Sequence, residues 1–126
     1  MKAKLTVLFI AVASMFVQAQ NTEACTEAIS LMASAVKAKD VSAYDYLTTL
    51  RKDCPSFHKS IYSQGEFAIE LKIEKATTPE EKEKYVRDLL KLYDEHDQYF
   101  PGNGAGNKMK KALIPQQLRK IIIDLE

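Results

Sequence analysis

The sequence has no tryptophan and is poor in glycine, proline, cysteine and histidine, with 4, 4, 2 and 2 of them in 126 residues. Those scarcities exclude a collagen-like chain and a disulfide-dense scaffold. Charge of one sign is also lacking. A formal net charge of +1 removes the electrostatic case for a nucleic-acid partner. What is there is ordinary: 46% hydrophobic and 28% charged residues, enough for one domain of roughly 100 residues.

The first nineteen residues read as a cleaved export signal. Lys2 and Lys4 form a positive start, Leu5 to Val17 is an uncharged apolar run of thirteen residues, and Val17-Gln18-Ala19 presents small residues where a signal peptidase reads. The run is too short for a membrane span, which takes about 20 apolar residues. A lipid anchor on Cys25 is disfavoured by the polar Thr22-Glu23-Ala24 before it. The predicted mature chain is Gln20 to Glu126, 107 residues with a net charge of −1 once Lys2 and Lys4 are lost. It carries no membrane-spanning run, and its expected location is the periplasm, cell envelope or medium.

Helical periodicity runs through the mature chain with no alternating strand pattern. Asn21 or Thr22 caps a first helix whose stripe is Cys25, Ala28, Ile29, Met32, Ala35 and Val36. Asp40 reads as the next cap, before Ala43, Leu47, Leu50 and Cys54, with Pro55 ending that helix. Only Lys37 to Asp40 separates the two, so they form an antiparallel hairpin, about residues 21–54. A second hairpin covers about residues 56–100. Ser56 caps its first helix, carrying Phe57, Ile61, Ala68, Ile69 and Ile73, and Gly65 inside it marks the close approach of another helix backbone. Thr78, Pro79 and Glu81 start the next helix with a capping box, and Tyr85 or Val86, Leu89, Tyr93 and Phe100 form its stripe. Pro101 to Asn107 reads as a loop, and a final stretch, 108–126, as a helix broken or kinked at Pro115.

Cys25 and Cys54 lie equidistant from the turn of the first hairpin, so antiparallel packing sets them side by side. In an exported chain with no third cysteine this predicts a disulfide. Two buried free thiols are the alternative.

No residue set nominates catalysis, a cofactor or a metal. Gly102 to Lys108 lacks the spacing of a phosphate loop, and Met109 stands where Ser or Thr is required. Asp94, His96 and Asp97 cluster near a helix end, but positions 94 and 96 face different ways. His96 there suits the helix dipole, and His58 reads as a surface residue.

Ala43, Leu47 and Pro55, repeated as Leu89, Tyr93 and Pro101, have the spacing of the second helix of a tetratricopeptide repeat. The stretches Cys54 to Tyr62 with Gly65, and Tyr85 to Asp94 ending in Tyr99-Phe100-Pro101, resemble exported tetratricopeptide-repeat proteins of the Bacteroidetes group. The resemblance covers roughly Cys25 to Pro101. It implies an all-α fold of tandem antiparallel helix hairpins, an α-solenoid fragment used for protein contact rather than catalysis. Such arrays usually need about three repeats. With an apolar Ile121-Ile122-Ile123 in its last stretch, the chain reads as a truncated relative or one that borrows a partner's surface. The expected function is a non-catalytic interaction module with a cell-envelope protein as partner, self-association being open. The alternatives are an exported small-ligand or metal carrier using His58, His96 or tyrosines, and a remnant without a function of its own.

Overall fold

Residues 22–102 and 104–125 are described by the computed structural model, and among them five helices and no strand form. They are α1 over 22–37, α2 Ala43–Asp53, α3 Ser60–Lys75, α4 Pro79–Tyr99 and α5 Gly104–Leu125. The predicted export signal lies outside the described residues, as does Asn21.

Local chemistry explains most of the boundaries. α1 ends where Lys39 adopts a left-handed φ of 55°. There the Asp40 amide donates to Ala35 O at 2.8 Å and the Lys39 amide to Val36 O at 3.0 Å, the paired bonds of a Schellman ending. Asp40 caps as expected, its Oδ1 accepting from the Ser42 amide at 2.9 Å, although regular helix begins only at Ala43. In α4, Thr78 Oγ1 accepts from the Glu81 amide at 3.2 Å and Glu81 Oε2 from the Thr77 amide at 3.3 Å, with Pro79 at the first helical position.

Two starts differ from expectation. α3 begins at Ser60, not after Ser56, because the His58 ring takes the capping role, its Nδ1 accepting from the Ser60 amide at 3.0 Å. Phe57 is left outside the helix and 39% exposed. α5 begins at Gly104, inside the segment expected to be a loop, and continues past Pro115. Glycine costs about 1 kcal/mol in a helix, and a tertiary clamp offsets it. Buried Asn107 donates to Asp97 Oδ1 at 2.7 Å, and Lys111 bridges Asp94 and Asp97.

The disulfide forms. It joins Cys25 in the first turn of α1 to Cys54 at the end of α2, with Cα atoms 6.1 Å apart. Both cysteines are buried.

The expected open solenoid does not form; the helices close into a five-helix bundle. α1 packs against α3, two elements along, where Val36 and Lys39 share a groove with Phe67 and Leu71. Side chains of α2 reach α4, again skipping a helix. One cluster of buried side chains runs through Met32 of α1, Leu47 and Leu50 of α2, Ile61 and Ile69 of α3, Val86, Leu89 and Leu92 of α4, and Ile114 of α5. The cause lies in α3, which is apolar on more than one side. Gly65 meets α2, Tyr62 stacks on α4, and Leu71 faces α1, as a helix without a single apolar stripe must be buried by several neighbours. The neighbour at Gly65 is a side chain rather than a backbone: a Cβ there would lie 2.6 Å from Leu47 Cδ1.

Candidate interaction surface

Seven large apolar side chains stay exposed among the described residues, and five of them sit on the odd-numbered helices: Leu31, Phe67, Met109, Leu113 and Ile123, at 42, 51, 71, 57 and 63%. Phe67 stands beside Val36 and Leu71 in the groove between α1 and α3. Leu31 lies one turn before the buried Ala35 of α1. On the other flank of α3, Lys110 of α5 reaches Glu66 Oε2 at 2.6 Å, a side-chain link to a helix that packs mainly on α4. Met109 and Leu113, four residues apart, share one side of α5. Single exposed apolar residues are normal, and of the five Phe67 stands apart as the one seated in a groove with apolar neighbours.

Charge borders this surface. Glu70 and Glu74 rim the groove, with Lys39 at its end. Burial pushes the Glu70 carboxyl above its ordinary range, and the nearby Glu66 charge pushes it the same way. Glu66 itself is occupied, since it also accepts from the Tyr93 hydroxyl at 2.8 Å.

The opposite side of the bundle is tied rather than open. Arg51 donates through Nη1 to both Asp88 oxygens, at 2.9 and 3.0 Å, and through Nε to Glu95 Oε2 at 2.7 Å. Burial opposes the Arg51 charge, but its bond to Glu95 and the charge of Asp88 outweigh that and hold the guanidinium above its ordinary pKa. The Tyr44 hydroxyl is pushed up by burial and by its bond to Asp88. Spacing gave a usable signal here: Asp88 and Glu95 lie seven residues apart, as do Tyr44 and Arg51, which puts each pair on one helix face.

The residues singled out from sequence are scattered. His58 caps α3 at the surface. His96 stacks on Tyr62, ring centroids 5.3 Å apart and planes within 9°, and burial lowers its pKa. Asp94 and Asp97 hold Lys111 instead of converging with His96. No group of three His, Cys, Asp or Glu side chains able to hold a metal occurs among the described residues. Cys25 and Cys54 serve the fold through their disulfide. Among the described residues no helix is long and apolar enough to cross a membrane.

No family model, curated protein or solved structure matches the chain.

Proposed function

We propose that this chain is a non-catalytic protein-binding module of the cell envelope, and that it binds through the α1, α3 and α5 side of the bundle. The observation that carries the reading is Phe67, half exposed in a groove floored by Val36 and Leu71. An aromatic in such a setting is the anchor type that dominates protein interfaces. Export follows from the predicted signal at Met1 to Ala19, and the Cys25–Cys54 disulfide suits an oxidising compartment. The resemblance of Cys25 to Pro101 to exported interaction proteins points the same way.

The test uses the disulfide-bonded protein as bait in envelope extracts of the producing cell, with Phe67→Ser and Leu31→Ser as paired controls. Both side chains are exposed, so these changes should leave the melt within about 0.5 kcal/mol of the parent. The reading expects a specific protein, or a second copy, to be retained by the parent and lost from Phe67→Ser. Equal retention by parent and variant rejects it.

A further inference from the structure

A second feature lies at the C-terminal end of α3. Where α3 turns into α4, the C-terminal half of α5 passes over the junction and leaves an open cleft of about 450 Å³. Its apolar lining comes from Ile73, Pro79, Val86 and Ile121. The volume falls in the range of small-molecule sites, about 300–1,000 Å³. Polar groups reach it from the rim: Lys82 and Lys120, the carboxylate of Glu74, and the threonines 77 and 78. Two lysines and one glutamate therefore line the cleft, and neither lysine is ion-paired among the described residues. Val86 at the floor is 1% exposed, so its place is fixed by the core.

We infer that this cleft binds a small amphiphilic anion, a free monocarboxylate with a hydrocarbon tail. The tail lies along Ile73, Val86 and Ile121, where it removes apolar surface from water. The head group lies between Lys82 and Lys120, with a threonine hydroxyl in reach as donor. A cationic amphiphile would bring like charges together at the same rim. A neutral one would bury its tail but gain nothing from the lysines. This site shares Glu74 with the rim of the Phe67 groove, but its other lining residues differ and it does not depend on the protein-binding reading.

Decanoate, decanol and decyltrimethylammonium, each below its micelle concentration, distinguish these cases with the isotopically labelled, disulfide-bonded protein. Expected are saturable methyl shifts at Ile73, Val86 and Ile121 with decanoate, weaker binding of decanol and none of the cation. Lys82→Gln with Lys120→Gln should weaken decanoate by about three- to tenfold, the scale of two partly screened ion pairs, and leave decanol unchanged. A bulky Ile121→Trp, which fills the cleft, should abolish both while helix content is retained. Absence of shifts at those methyls, or equal binding of all three amphiphiles, overturns the proposal. So does co-sedimentation with phosphatidylglycerol vesicles in place of monomeric decanoate binding, since that assigns the lysines to a membrane surface.

Discussion

The Tyr44 hydroxyl on α2 donates a hydrogen bond to Asp88 Oδ2 on α4 at 2.7 Å. The same carboxylate takes two hydrogen bonds from Arg51, whose third goes to Glu95. The side chains of Arg51, Asp88 and Glu95 are only 13, 18 and 23% exposed, so water does little to screen them. This network is the polar link between two helices that are not neighbours in sequence. Arg51→Ala should strand two carboxylates and cost about 2–3 kcal/mol in urea unfolding. Replacing all three together, Arg51→Met with Asp88→Leu and Glu95→Leu, should cost much less, because no unpaired charge remains. Equal losses for the single and triple variants contradict the assignment.

The disulfide closes a separation of 29 residues. Chain-entropy arguments give about 3–4 kcal/mol for such a loop. Reduction, or Cys25→Ser with Cys54→Ser, should lower the thermal midpoint by well over ten degrees in a chain of this size. Helix content below the transition should be kept, since the other four helices share the core with α1.

Lys39 holds a φ of 55°, a conformation that costs a side-chain-bearing residue about 1 kcal/mol or more. Its carbonyl, which accepts from Lys75 Nζ at 3.1 Å, belongs to the backbone and survives substitution. Lys39→Gly should therefore stabilise by about 0.5–1 kcal/mol, whereas Lys39→Ala should give no such gain.

Glu70 carries a pKa raised above its unfolded value, by burial first and by Glu66 second. The folded state therefore holds the proton more tightly than the unfolded state. The charged carboxylate is a penalty at pH above the folded pKa, and the penalty fades as pH falls through that value toward the unfolded one near 4.5. Glu70→Gln should stabilise by about 0.5 kcal/mol at neutral pH, a figure kept small by solvent screening. The gain should vanish near pH 4. A gain that persists in acid denies the electrostatic cause.

Local chemistry was legible before the fold was. Thr78-Pro79 with Glu81 marks the start of α4 unaided, because a capping box needs only neighbouring residues. Cys25 and Cys54 follow from hairpin symmetry. The closed bundle was not legible from a reading that gave α3 one stripe, omitting Tyr62 and Leu71, which are buried against α4 and α1. Their presence around the helix was the available signal. The first turn of α5 was hidden for another reason. Gly104 to Asn107 has loop composition, and what makes it helical is the bond from Asn107 to Asp97, ten residues back. The cleft over Ile73, Val86 and Ile121 gathers three distant segments, which no spacing rule connects.

The most direct test of the interaction surface is site-specific photocrosslinking in the producing cell. A photoreactive side chain replaces Phe67 in the α1–α3 groove, and in a control it replaces the exposed Lys91 on α4. The account predicts a discrete crosslinked species from position 67, to another envelope protein or to a second copy, and none from position 91. The same adducts from both positions, or none from position 67 while the protein is folded and disulfide-bonded, would contradict it.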